Sequence, residues 1–428
     1  MVVLSALMRR RDMTKKERVK TTLAHREPDR VPLFELTVAN PVLESVLGRR
    51  ITGYGTGEAK AAGIRAAMSG REARKILIRE NVEGMLEMYE KVGFDMFWFR
   101  PTEYLITVFM GLPDNITANY VFDIGIQETE KNVFRIENSE YGFWSIEKYE
   151  EESDTCVTVD DSIKQGGIGE LRRYVAYLEE KADTPLPPAL RDGLESIKIA
   201  VERQRGREDG MFVMGAADIA CPTFQPYFPL FLQAMIDEPK LVERYMEATT
   251  EGEMPILRAQ LEMGVDGILG AVDWCFGKAP LFSPDMFKRF MVPHLKRIVD
   301  ECHQHAVPYI KHLDGHTTPH LDLLISDVGI DGLHSIEPAA GMDIGWVKRT
   351  YGDRITIFGN IDCGHLLTFG TSDEVVASVK NIIQEASPGG GHVFSSSNSI
   401  HSGVSPETFW TMINAVKRFG RYPIRIAS

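Results

Sequence analysis

The chain has 428 residues, 43% hydrophobic and 25% charged, the make-up of an ordinary enzyme-sized protein able to bury a large core. Its formal net charge of −13 argues against a nucleic-acid or anionic-membrane surface, since either partner needs a basic face. It has no run of about 18 apolar residues to span a bilayer, no secretory-signal layout in MVVLSALMRRRDMTKKER, and five scattered cysteines that do not look like a disulfide framework. A cytoplasmic protein with reduced thiols is expected.

In chain order, Thr14 and Glu17 predict a capping box opening a short helix, within a helical extension over residues 1–30. Val31–Glu35 then reads as a first strand. Ile78, Val82, Met85, Tyr89 and Val92 recur at helical spacing and stop at Gly93, before a second strand over Asp95–Phe99. Further strand-like runs lie at Met211–Gly215, Gly267–Val272, Val307–Lys311, Gly332–Ile336, Ile355–Gly359 and His392–Ser396. Helical patterns separate them, including one through Val375, Val379 and Ile383 and one through Phe409, Met412 and Val416. Ser283 and Ser405, each followed by proline, carry the start signal of a helix.

Eight strands alternating with helices predict a (β/α)₈ TIM barrel over residues 31–428. An open doubly wound sheet would carry a glycine-rich phosphate turn after its first strand, and none is present. Residues from about 101 to 188 interrupt the alternation. They read as an insertion after strand two containing a β-hairpin, Asn132–Ile136 with Phe143–Tyr149, and an acidic run, Glu150–Asp154, that reads as a solvated turn.

In such barrels the chemistry sits at the carboxyl ends of the strands. Those ends carry Glu35 after strand one, Asp218 and Cys221 after three, and Asp273, Trp274, Cys275 and Phe276 after four. Strand five delivers His312 and Asp314, strand six His334 and Glu337, strand seven Asn360, Asp362 and Cys363, and strand eight Ser397, Asn398 and His401. His312, Asp314 and Glu337 come from adjacent strands and form a candidate zinc site with an open position. The alternative is that Asp314 caps the next helix or hydrogen-bonds His312. Cys221, Cys275 and Cys363 are a rival, thiolate set without the usual short spacing. Rim aromatics, among them Phe34, Phe97, Trp98, Phe224, Tyr227, Phe228, Trp274 and Phe276, suit a planar apolar substrate, or else pack the insertion onto the barrel.

Arg18 and Val19, the run His25–Pro32, His312–Gly315, Ile336–Asp343, Gly359–Asp362 and Pro388–Asn398 together resemble the uroporphyrinogen decarboxylase superfamily over nearly the whole chain. The resemblance implies a (β/α)₈ barrel. Uroporphyrinogen decarboxylases carry an arginine-rich stretch after the first strand to hold the substrate's propionates, but Val31–Ala39 contains no arginine. This points to the superfamily's other branch, cobalamin-dependent methyltransferases that exchange a methyl group with a separate corrinoid protein. Members of that branch acting on coenzyme M hold zinc with a His-x-Cys motif and a last-strand cysteine. Here Asp314 and Asn398 stand at those positions, and an oxygen-richer site suits polarising an ether rather than activating a thiol.

The resemblance thus implies O-demethylation of a methoxylated aromatic, with the methyl group passing to the Co(I) corrinoid of a partner protein. Catalytic roles fall to His312, Asp314 and Glu337. Substrate contacts fall to Glu35, Phe97, Trp98, Asp218, Asp273, Trp274, Phe276, Asn360, Asp362, Asn398 and His401. Methanol, a methylamine or a thiol as methyl donor or acceptor, a decarboxylase of the same superfamily, and a non-catalytic corrinoid-protein partner are the alternatives. A homodimer is compatible with the sequence.

Overall fold

A computed structural model describes residues 12–53, 55–100, 124–138, 141–182 and 188–425. The helix signals read from the sequence are made as side-chain bonds. The Thr14 hydroxyl accepts from the Glu17 N–H while the Glu17 carboxylate accepts from the Thr14 N–H, opening the helix Lys15–Leu23. Ser283 and Ser405 cap the helices Pro284–Phe290 and Pro406–Phe419 with proline in the first turn. The long helix Arg71–Val92 stops at Gly93, whose φ of 86° is open to glycine at little cost.

Thirteen strands are named among the described residues. β1 (Met96–Trp98) precedes a four-stranded group, β2 (Ile124–Glu130), β3 (Val133–Asn138), β4 (Trp144–Glu150) and β5 (Thr155–Asp161). Then follow β6 (Phe212–Ala216), β7 (Gly267–Gly270), the short pair β8 (Cys275–Phe276) and β9 (Ala279–Pro280), β10 (Tyr309–His312), β11 (Gly332–His334), β12 (Thr356–Phe358) and β13 (His392–Val393). Seven of these form one parallel sheet in the order β1-β6-β7-β10-β11-β12-β13.

The predicted first strand takes the eighth position. Leu33 bridges Phe394 in parallel, just past β13. Phe34 N–H donates to the Phe394 carbonyl at 3.0 Å, and on the other side Asp95 N–H donates to the Leu33 carbonyl at 2.9 Å, just ahead of β1. The parallel sheet therefore curls round on itself as a (β/α)₈ barrel, and its short strands are buried throughout, as strands covered on both faces must be.

The predicted hairpin is the central pair of a larger unit. β2, β3, β4 and β5 make an antiparallel sheet in sequence order, with Phe134, Ile136, Ser145 and Glu147 on buried positions. The acidic run forms the turn from β4 to β5, but Asp154 is more than a solvated residue. Its Oδ1 accepts from Glu58 N–H at 2.7 Å and its carbonyl from Gly57 N–H at 2.9 Å, so it tethers the start of the helix Gly57–Met68. Residues 101–123, 139–140 and 183–187 of the expected insertion, and residues 1–11 of the expected extension, lie outside the described residues.

Where the first strand meets β1, four charged side chains interlock. Arg18 donates to both oxygens of Asp29 at 2.7 Å and to Asp95 Oδ1 at 2.6 Å. Arg30 donates to Asp95 at 2.7 and 2.9 Å, and Asp95 Oδ2 also accepts the Leu33 N–H at 2.8 Å. Arg18 and Asp95 are buried. Among the described residues no helix is long and apolar enough to cross a membrane.

Candidate functional site

Register brings the site together. β10 and β11 run in parallel with His312 opposite His334, and the two Nδ1 atoms lie 2.6 Å apart. A bond of that length needs one proton between the rings. Burial first, and then the neighbouring His312, push His334 well below the usual histidine range, so it is neutral. If His312 offers the lone pair of Nε2 outward, its Nδ1 carries the proton and donates to His334, which fixes the His312 tautomer.

The outward nitrogen faces two carboxylates. His312 Nε2 lies 3.5 Å from Asp314 Oδ1 and 4.0 Å from Asp273 Oδ1. Asp273, His312 and Asp314 are, among the described residues, the group of potential metal-binding side chains whose donor atoms all lie within 4.8 Å of one another. Asp273 arrives from the loop after β7 because the Asp314 N–H donates to its Oδ1 at 2.9 Å. Asp314 is held in turn by the Ser335 hydroxyl at 3.2 Å and by the Asn398 amide. Burial, with Asp273 and Glu337 adding to it and His312 opposing, raises the Asp314 carboxyl above the usual range.

This donor set fits a divalent cation. Three ligand atoms about 2.0–2.2 Å from a tetrahedral zinc stand roughly 3.3–3.6 Å apart; His312 Nε2 lies 3.5 and 4.0 Å from the two carboxylates, all three donors fall within 4.8 Å of one another, and every member already has a neighbour fixing its orientation. Glu337 stands beside the trio: its Oε2 accepts the Gly315 N–H at 2.8 Å. Gly315 itself has φ 81°, and a Cβ there would lie 2.8–2.9 Å from the Cys275 and Phe276 backbone. The turn after Asp314 can therefore close only with glycine.

The other predicted residues divide by surroundings. Asp218 pairs with Lys311 at 2.6 Å, and Trp274 is buried with the Lys311 Nζ 4.4 Å from its ring centre. Phe97 lies in the core, edge-on to Tyr89, and Trp98 is also buried. Asn360 donates to the Ile336 carbonyl, Asp362 accepts the His365 N–H, and His401 Nε2 contacts the Cys363 carbonyl and Thr368 hydroxyl at 3.1 Å. Phe276 is 44% exposed and meets Phe224, 63% exposed, edge-to-face at 6.0 Å. Cys221, Cys275 and Cys363 are all buried, and burial pushes the thiols of Cys221 and Cys275 up to about 12, so they are neutral. Thr223, Lys311 and Ser335, which brace the site, were not anticipated. The one signal for Lys311 is a lysine closing an otherwise apolar run.

Glu35 is fully buried, with both carboxylate oxygens on Ser396, at 2.9 Å to its N–H and 2.6 Å to its hydroxyl. Burial raises this carboxyl from its ordinary value near 4.5 to about 8. The folded chain thus keeps a proton that the unfolded chain releases, and stability falls as pH rises from about 4.5 to about 8. Glu35→Gln removes this dependence. Unfolding followed from pH 5 to 8 should show the variant gaining on the native protein by a few kcal/mol, roughly 1.4 per pH unit, and parallel curves would contradict it.

Residues 173–419, more than half of the chain, match the family described as uroporphyrinogen decarboxylase (URO-D). The uroporphyrinogen decarboxylase of Myxococcus xanthus (strain DK1622) is 31% identical over 191 residues, covering 45% of this chain and 51% of that protein. That of Thioalkalivibrio sulfidiphilus (strain HL-EbGR7) is 25% identical over 194 residues, covering 44% and 51%. The chain spans about half the length of these curated relatives. A solved structure, a methyltransferase from Methanosarcina mazei, shares the fold at a TM-score of 0.60 and 20% identity, covering 95% of this chain and 99% of that one. The chain belongs to the uroporphyrinogen decarboxylase family.

Proposed function

We propose that this protein is a methyltransferase that removes the methyl group of a methoxylated aromatic and delivers it to a corrinoid held by a separate protein. The observation that carries the reading is the cluster of one imidazole and two carboxylates, with no thiolate, at the carboxyl ends of the barrel strands. Such a set is too hard to favour a thiol and suits an oxygen. The M. mazei protein with the same fold is a methyltransferase, which supports the reaction class.

In the reaction, the methyl carbon leaves the ether oxygen for the Co(I) of the partner's corrinoid, and the electron pair of the broken C–O bond stays on oxygen. Asp273, His312 and Asp314 would hold a divalent cation such as zinc, which would supply Lewis acidity toward the charge developing on that oxygen. His334, Ser335 and Asn398 hold the donor atoms in place. Glu337, bonded to the turn after Asp314, is assigned as the acid that returns a proton to the leaving phenolate. Phe224, next to Thr223, and Phe276, at the end of β8 against Gly315, offer an exposed aromatic contact beside the cluster.

Family membership favours a second reading, a decarboxylase. Against it, Arg30 is engaged by Asp95 and Lys311 by Asp218, so these cations are not free to pair with a polycarboxylate. The test follows methyl transfer from vanillate and related methoxyaromatics to cob(I)alamin by absorbance, beside CO₂ release from uroporphyrinogen. Transfer is expected, with Phe224→Ala and Phe276→Ala raising KM several-fold. Absence of transfer from every methoxyaromatic, or CO₂ release alone, would reject the proposal.

A further inference from the structure

Beside the cluster, β6, β7 and β10 converge on a buried ion pair. Lys311, fully buried, places Nζ 2.6 Å from Asp218 Oδ2. The same Nζ donates to the Val272 carbonyl at 2.8 Å, and the same Oδ2 accepts the Val272 N–H at 2.8 Å. Both backbone groups of Val272 are therefore gripped by the pair. The next residue is Asp273, and its carbonyl accepts the Thr223 hydroxyl at 2.6 Å. The one carboxylate of the trio that lies on a separate loop is thus fixed from both sides.

The surrounding sequence makes room for this arrangement. Tyr309 donates its hydroxyl to the Ala217 carbonyl at 3.0 Å, holding the chain just ahead of Asp218. At Gly270 a Cβ would lie 2.0 Å from the Tyr309 hydroxyl and 2.7 Å from Asp218 Oδ2, so any side chain there would displace the pair. A buried ion pair adds little net stability, because desolvation offsets the attraction. What it adds here is direction.

We propose that the Lys311–Asp218 pair, with Thr223, is a positioning clamp that aims the Asp273 carboxylate at His312 and Asp314 and so sets the affinity of the trio for a divalent cation. The inference rests on reading the trio as a cation site. Its logic is that of outer-shell groups, which orient ligands they touch and whose loss typically weakens metal binding by about 10–100-fold.

The test is titration of the full chain with Co(II), followed by visible absorption and by competition with zinc. Thr223→Val keeps the shape and removes the donor, and Thr223→Ser restores it. Lys311→Met combined with Asp218→Asn releases the grip on Val272 without stranding a charge. Thr223→Val and the double variant should bind Co(II) about 10–100-fold more weakly, with an altered visible band, while Thr223→Ser matches the native protein. If the double variant does not fold, the valine and serine variants decide. Folded variants with native affinity and spectrum would overturn the clamp and leave the cation site standing. No saturable uptake by the native protein would overturn both.

Discussion

His312→Ala, Asp314→Ala and Asp273→Ala should each lower methyl transfer by about 10²–10³-fold, the usual cost of losing one group that stabilises developing negative charge. All three should also lose tight Co(II) or zinc uptake, because each supplies one donor atom of the trio. Glu337→Gln separates the two carboxylates that follow β10 and β11. Its side chain is turned to the Gly315 N–H, so the variant should keep the cation while losing about 10²-fold in rate through the proton-donating role proposed for it. Measuring rate and metal content together distinguishes the roles. Equal rates in all four variants would remove the site assignment, and loss of the cation in Glu337→Gln alone would move the third ligand from Asp273 to Glu337.

Arg18→Ala should destabilise the protein by about 3–5 kcal/mol, the typical effect of removing one partner from a buried ion pair. Asp95 would keep Arg30 and Asp29 would keep backbone donors, but two buried carboxylates would then share one cation. Arg18→Lys should recover less than half of the loss. An ammonium lacks the planar fork that reaches both oxygens of Asp29 while a third nitrogen reaches Asp95. Urea unfolding with a shift under 1 kcal/mol for Arg18→Ala would show that the network is not a stabilising one.

The barrel was legible because its strands are short apolar runs that alternate with capped helices, and both signals are local. Strand ends then located His312, Asp314 and Asp273 on one rim. What could not be read was which of them meet, since the contact of Asp314 N–H with Asp273 joins residues 41 positions apart and depends on where the loop after β7 folds back. Likewise His334 pairs with His312 only through the β10–β11 register. β2 escaped notice for a different reason: Gln127, Glu128, Thr129 and Glu130 carry no apolar alternation, and this strand is held by backbone pairing to β3. Rim aromatics also read alike in sequence, although Phe97 fills the core and Phe276 faces solvent.

The bonds between Phe34 and Phe394, and between Glu35 and Ser396, join parts of the chain about 360 residues apart. Until the last strand emerges during synthesis, the first has an open edge and no neighbour on one side, while β1 through β12 can already assemble in order. Closure is therefore a late, long-range event, of the kind that slows folding and leaves strand edges exposed to other chains in the meantime. The same seam carries Glu35 and the serine run that leads to Asn398, so an unfinished barrel lacks a brace on Asp314.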